Sequence, residues 1–141
     1  MNQKTIYGRP AFGGFAEGKA LVFTESIAGN TGGLGDLTGI VTESGNPAKG
    51  LSIKDRILVI PCSKGSNGFS THFKSAKMMG ICPAGWVITK MDSRLGVAVT
   101  SLGVPAVADF KNEDPVTIIG NDDWIRINGH TGVVEIIKPS P

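Results

Sequence analysis

A short polar segment follows the second apolar run of the chain and carries residue types that could do chemistry. The run 56–60 is followed by Lys64, Gly65, Ser66 and Ser70, ahead of a helix-like pattern. A glycine-bearing loop before a helix presents backbone N–H groups, and the positive end of the helix dipole favours an anion there. Binding of a carboxylate or a phosphate is therefore one chemistry that this segment could perform.

Ser66 could also act as a base, but only in a specific setting. A serine hydroxyl in water is a poor proton acceptor, so its oxyanion would need nearby backbone N–H groups, a helix N-terminus and a cation such as Lys64. The segment offers all three. The plainer interpretation, a turn in which the serine caps the following helix, stays open.

The cysteines and histidines do not combine into a metal site. Cys62 and Cys82 are the only cysteines and lack Cys-x-x-Cys spacing, and His72 and His130 are far apart in the sequence. Burial beside strands is the simplest interpretation of both cysteines. We therefore expect this chain to bind no metal and no cofactor on its own.

Two strand-to-helix units must position the polar segment. A helix pattern follows it, and a second helix can begin at Asp92 or Ser93 and close at Gly103. Apolar, β-branched strands alternate with these helices, which indicates a parallel sheet with right-handed crossovers. The predicted strands are 19–24, 56–60, 85–89 and 104–108, and the first predicted helix contains Phe69, Phe73, Ala76 and Met79.

The C-terminal part has a pattern typical of a β-hairpin. Residues 124–127 alternate in polarity, Asn128-Gly129 is a favoured turn, and residues 132–137 form the returning strand. Together with the strand near Leu21 and Val22, the hairpin predicts an α/β fold. In this fold a small barrel-like β layer packs on a parallel sheet covered by helices.

The segment from Gly29 to Gly39 is too rich in glycine for a helix or a regular strand. It has no strand-to-helix context and no Gly-x-Gly-x-x-Gly match, which argues against nucleotide binding. A mobile lid is the more plausible interpretation of this loop.

Length, charge and hydropathy exclude several classes of protein. The 141 residues carry 14 Lys and Arg against 12 Asp and Glu, and a net charge of +2 predicts binding to neither nucleic acid nor membrane. With 40% hydrophobic residues and no visible boundary, we expect one domain over 1–141. No apolar run reaches the roughly 20 residues of a spanning helix, and no signal-peptide pattern is present, so the predicted location is the cytoplasm.

The order of these pieces resembles the swivelling domain of the aconitase X group. The resemblance covers nearly the whole chain, and its sharpest motif is the segment that begins after Pro61. It implies a swivelling β/β/α fold that closes over a larger catalytic subunit. The matching segments are the strand near Leu21, the strand 57–60 with Lys64-Gly65-Ser66-x-x-x-Ser70, Pro83-x-x-Trp86-Val87-Ile88, and Gly103-Val104-Pro105-Ala106-Val107.

The resemblance also implies an activity, the dehydration of a small hydroxy-carboxylate such as a hydroxyproline or phosphomevalonate. In many members of the group the domain is a separate small subunit. We therefore expect a large dehydratase subunit as partner, no activity without it, and an iron or iron–sulfur centre in that partner. The family's proposed proton acceptor matches Ser66, and Lys64, Gly65 and Ser70 are the matching substrate-binding residues.

A second resemblance, carried by residues 92–107, is to the mobile phosphohistidine domain of phosphoenolpyruvate-using enzymes. That domain has the same swivelling fold, and a histidine after Thr-Ser carries its phosphoryl group. Here the matching position is Arg94, whose guanidinium cannot act as a nucleophile near neutral pH. A phosphoryl-carrying module, or a non-catalytic relative of one, is the alternative function.

Overall fold

The computed structural model describes residues 2–23, 53–61 and 82–138, which form eight strands and two helices. Within these ranges no helix is long and apolar enough to cross a membrane. The helices are α1 (Ser93–Leu102) and the short α2 (Pro115–Ile118). The strands are β1 (Asn2–Tyr7), β2 (Arg9–Phe12), β3 (Phe15–Val22), β4 (Ile57–Ile60), β5 (Gly85–Ile88), β6 (Ala106–Ala108), β7 (Trp124–Asn128) and β8 (Val133–Lys138).

The eight described strands form one mixed sheet in the order β1-β8-β7-β3-β4-β5-β6-β2. Strands β3, β4, β5 and β6 run parallel, and the other pairings are antiparallel. β3 belongs to both parts, because 15–19 pairs with β7 and 20–22 pairs with β4. The α/β class is confirmed, and the barrel-like layer and the parallel sheet are continuous through this one strand.

Gly8 is the single residue between β1 and β2, which occupy the two ends of the strand order. Strands joined by one residue must lie close together, so the sheet curls back on itself in a barrel-like manner. A Cβ at Gly8 would lie 2.8 Å from Ala108 O and 2.9 Å from Phe110 Cε1. Glycine is therefore needed for the chain to pass close to β6 at this point.

The parallel strands bury side chains on both faces, because successive residues of a strand point to opposite sides. Leu21, Leu58 and Trp86 belong to one core cluster with Leu95 and Leu102 of α1. Burial on both faces explains the unbroken apolar runs that predicted a parallel sheet. The second cluster joins the alternate strand residues to the C-terminal hairpin and includes Ala20, Ile57, Val59, Val87, Val107, Ile125, Ile127 and Val134.

Helix α1 begins and ends at the predicted residues. Asp92 is the N-cap, and its Oδ1 accepts a hydrogen bond from Leu95 N at 2.9 Å. Gly103 closes the helix with a left-handed φ of 68°, and its N–H donates to Val99 O at 3.0 Å. The local capping signals were sufficient to predict this element.

The C-terminal hairpin is confirmed, but its turn is longer than the two residues predicted. Asn128 is the last residue of β7 and pairs with Val133, so the turn consists of residues 129–132. Asn128 Oδ1 accepts hydrogen bonds from His130 N at 2.9 Å and from Thr131 N at 3.3 Å. The asparagine side chain therefore stabilises the longer turn by bonding its backbone.

Strands β1 and β2 are not predicted by the apolar pattern. Ile6 is the buried hydrophobic residue of β1, and Arg9 and Pro10 at the start of β2 are exposed. Such strands give no clear alternation, and their pairing depends on the rest of the sheet. The predicted helix over 69–79 and the loop 29–39 lie outside the described residues.

Candidate functional site

The carboxyl ends of the four parallel strands meet at one edge of the sheet. We call it the carboxyl edge and define it by Phe23, Pro61, Thr89 and Asp109, which directly follow β3, β4, β5 and β6. Ligands of open α/β sheets bind outside the carboxyl ends of the strands, where the connecting loops converge. A functional site is therefore expected at this edge.

The predicted site residues Lys64, Gly65, Ser66 and Ser70 lie outside the described residues, so their assignment stays a prediction. The structure does describe Pro61, the residue from which their segment departs. Ser66 is five positions beyond Pro61, which limits the distance between their Cα atoms to about 18 Å. The carboxyl edge is therefore the part of the described structure that the sequence connects most directly to Ser66.

Hydrogen bonds join the connections at the carboxyl edge. Lys90 N donates to Pro61 O at 3.0 Å, so the chain after β5 lies beside the chain after β4. Met91 N donates to Asp109 Oδ1 at 2.8 Å, which fixes the turn between β5 and α1 to the end of β6. Pro61 is thereby linked to the Asp109 carboxylate through two adjacent residues.

Asp109 is ionised and held in an unusual backbone conformation. Its φ of 57° is left-handed, a region that Asp and Asn tolerate better than most residues. Burial raises its pKa, but hydrogen bonds from Met91 and Arg9 and the charges of Arg9 and Lys90 outweigh that effect. The pKa of Asp109 therefore lies below its ordinary value of 3.8.

Carboxylates of the chain itself cap both described helices near this edge. Asp92 caps α1, whose first turn contains Arg94, the position compared above with a phosphohistidine. Thr89 Oγ1 donates to Asp114 Oδ1 at 2.9 Å, and the same oxygen accepts from Val116 N at 3.1 Å at the start of α2. An anionic ligand near these helices would therefore have to be held by other donors.

No three His, Cys, Asp or Glu side chains cluster closely enough to hold a metal ion within residues 2–23, 53–61 and 82–138. Cys82 forms no disulfide, is half-buried and packs against the core cluster that contains Trp86. His130 is exposed in the hairpin turn. Cys62 and His72 lie outside the described residues.

Sequence reasoning missed the group formed by Arg9, Lys90 and Asp109. Two of its members had a local signal, because Lys90 and Asp109 each follow directly on a predicted strand of the parallel sheet. Polar residues in such positions gather at the carboxyl edge. Arg9 had no such signal, since it reaches the edge only through the pairing of β2 with β6.

Comparison with known proteins finds relatives that this chain matches over nearly their whole length. The phosphomevalonate dehydratase small subunit of Methanocella arvoryzae is 31% identical over 131 residues, which cover 93% of this chain and 98% of that protein. The protein of the same name from Archaeoglobus fulgidus is 33% identical over 125 residues, covering 89% of this chain and 92% of that protein. This chain thus matches these small subunits over nearly their whole length.

Solved structures agree with the sequence relatives. Aconitase X of Thermococcus kodakaraensis, a crystal structure of the holo-form, superposes with a TM-score of 0.86 at 27% identity, covering 96% of this chain and 99% of the matched chain. A solution NMR structure of a UPF0107 protein gives a TM-score of 0.82 at 30% identity and covers 96% of this chain and 100% of that chain. These values confirm the predicted swivelling fold.

The match to a protein family also covers nearly the whole chain. Residues 5–136 match the family described as the aconitase X swivel domain, which is nearly the whole chain. The full-length relatives favour this family over the phosphohistidine domains, in agreement with the arginine at position 94. This chain therefore belongs to the aconitase X swivel domain family.

Proposed function

We propose that this chain is the small subunit of an aconitase X type dehydratase that removes water from a phosphorylated hydroxy-carboxylate. The observation that carries the proposal is its match, over nearly the full length of both proteins, to subunits named for phosphomevalonate dehydration. A phosphorylated substrate is thus favoured over a hydroxyproline. The partner in this proposal is a large dehydratase subunit.

The chemistry requires two groups that act on neighbouring carbon atoms of the substrate. A base removes a proton from one carbon, the electron pair forms the new double bond, and the hydroxyl on the next carbon leaves as water after receiving a proton. We assign the base to Ser66. Lys64 and the backbone N–H groups around Gly65 stabilise its oxyanion, and Ser70 binds the substrate beside it.

The electrophile that draws away the hydroxyl belongs, in this proposal, to the large subunit. An iron or iron–sulfur centre would supply Lewis-acid activation of the leaving oxygen. This chain has only two cysteines, fewer than the usual thiolate ligand set of such clusters. Residues 1–141 act as one swivelling domain that brings Ser66 to that centre.

Pro61 supports this arrangement by its position. The chain leaves β4 at Pro61, in the interior of the strand order between β3 and β5, and Pro61 O is held by Lys90 N. A loop that departs from the middle of a parallel sheet lies where substrates of α/β enzymes bind. Closure of this edge over the large subunit would exclude water from the reacting atoms.

The test is reconstitution of the enzyme from this chain and the large subunit of the same organism. The two proteins should co-purify, and the complex should form an unsaturated acid from a phosphorylated hydroxy acid. Each protein alone, including metal-stripped preparations of this chain, should show no turnover. Phosphoryl transfer from phosphoenolpyruvate to this chain, or turnover by this chain alone, would overturn the proposal.

A further inference from the structure

A cleft of about 470 Å³ lies at the carboxyl edge, beyond the end of β6, outside the residues assigned above to catalysis. Tyr7 at the end of β1 forms one side, and this residue is 70% exposed. The segment after β6 forms the other side. The lining residues are Tyr7, Gly8, Arg9, Asp109, Lys111 and Asn112.

The cleft has a surplus of positive charge. Arg9 and Lys111 line it, and Lys90 lies close enough for its charge to act on Asp109. Among the described lining residues Asp109 is the one acidic side chain, against the two cations Arg9 and Lys111, and Lys90 is a third cation near Asp109. Arg9 is paired with that carboxylate, whereas neither Lys90 nor Lys111 has an ion-pair partner among the described residues.

Arg9 has N–H donors beyond those that contact Asp109, and such donors could bind an anionic ligand. Its Nε and Nη2 atoms both contact Asp109 Oδ2. A guanidinium has five N–H groups, and no acceptor among the described residues takes those on Nη1. The fixed pairing with Asp109 also orients the guanidinium before any ligand arrives, which lowers the entropic cost of binding.

We propose that this cleft is an anion-binding site that takes a phosphate group. A phosphate dianion offers several acceptor oxygens and two negative charges, which suits the oriented guanidinium of Arg9 and the ammonium group of Lys111 better than a single carboxylate does. Asn112 adds an amide that can donate, and the exposed ring of Tyr7 provides a surface for the carbon chain of the ligand.

The position of the cleft connects it with the proposed reaction. The charge of Lys90 acts on Asp109 of the cleft, and the backbone N–H of Lys90 donates to the carbonyl of Pro61, from which the chain continues to Ser66. The identification of the ligand as the substrate of the enzyme rests on the proposed function, whereas phosphate binding by the cleft does not.

The test is a titration of the isotope-labelled full chain with inorganic phosphate at constant ionic strength, followed by NMR. Saturable shifts are expected for the amides of Gly8, Arg9, Lys111 and Asn112. The double variant Lys90→Glu/Lys111→Glu should weaken phosphate binding by about tenfold or more, because it reverses two charges. Lys19→Glu is the matched control, since Lys19 is exposed but lies at the opposite, amino end of the parallel strands.

The outcomes separate this proposal from the proposed function. Absence of a saturable shift, or equal weakening by Lys19→Glu, would overturn the anion site whatever the activity of the assembled enzyme. In the assembled enzyme, Lys111→Glu should raise KM for a phosphorylated substrate with little change in kcat. If phosphate binds as expected but Lys111→Glu leaves KM unchanged, the site takes a phosphate group other than that of the substrate.

Discussion

Arg9 contacts Asp109 Oδ2 through two nitrogen atoms, Nε at 2.7 Å and Nη2 at 2.6 Å. The pair joins the start of the edge strand β2 to the end of β6, with which β2 is aligned antiparallel. The same carboxylate holds Met91 in the connection between β5 and α1. The Asp109 side chain thus links the connection after β6 and the connection between β5 and α1 to the edge strand β2.

Asp109→Asn should destabilise the protein by about 1 kcal/mol near neutral pH, because it removes a charged acceptor from two hydrogen-bonded partners that are partly exposed. The lowered pKa of Asp109 means that its contribution to stability is present above the ordinary value of 3.8 and is lost as pH falls through the lower folded-state value. The difference between wild type and variant should therefore shrink below about pH 4. Urea unfolding across pH measures it.

Asparagine is the appropriate replacement at this position, since it tolerates the left-handed φ of 57° nearly as well as aspartate. Backbone strain then does not contribute to the change. A difference in unfolding free energy that stays constant from neutral to strongly acidic pH would show that the charge of Asp109 is not what stabilises the edge.

Leu58→Ala should lower the free energy of unfolding by about 2–5 kcal/mol, because it leaves a cavity between strand and helix that the sheet cannot collapse to fill. Leu58 is fully buried in the central strand β4 and packs in the cluster with Leu95 of α1. Val97→Ala on the exposed side of α1 is the control and should change stability by no more than about 0.5 kcal/mol. Equal effects of the two substitutions would contradict the assigned core.

Arg56→Lys should cost about 1–2 kcal/mol, since an ammonium group cannot replace the planar fork of donors. Arg56 Nη2 donates to Ala20 O at 2.6 Å and to Asp122 Oδ1 at 2.8 Å. Its Nε donates to Lys19 O at 3.2 Å. These bonds satisfy backbone carbonyls where β3 passes from one half of the sheet to the other, and thermal unfolding reports their loss.

The matched control for that substitution is Arg126→Lys. Arg126 lies on β7, is 40% exposed, and its nitrogen atoms are 3.9 Å from Glu17 Oε2 and 4.0 Å from Glu135 Oε2. Exposed pairs at such distances contribute little, so the change should be within about 0.5 kcal/mol. If Arg126→Lys destabilises as much as Arg56→Lys, the hydrogen bonds to the carbonyls of β3 are not responsible.

Ser66→Ala in the assembled enzyme should lower kcat by about 10²- to 10⁴-fold, the usual loss when a general base is removed, with little change in KM. Ser70→Ala should instead raise KM. Lys64→Met should lower kcat, because loss of a neighbouring cation raises the pKa of an oxygen base. Near-normal kcat for Ser66→Ala in an intact complex would leave the loop as a substrate-anion site and move the base to the large subunit.

Local patterns in the sequence were sufficient for the parallel part of the fold and for the C-terminal hairpin. Strands β4 and β5 read as apolar runs because both faces of each are buried, and α1 is bounded by Asp92 and Gly103, whose capping roles depend on neighbouring backbone alone. The resemblance to the aconitase X swivel domain was also visible in the sequence, since it rests on the order of these elements.

Local sequence patterns could not predict the cleft at the end of β6, because its lining residues come together through long-range strand pairing. Arg9 and Asp109 are 100 positions apart, and they come together only when the sheet curls so that β2 aligns with β6. That closure depends on the close passage of Gly8 past Ala108. Such contacts have no local periodicity, so the physical basis of the cleft appears only once the strands have assembled.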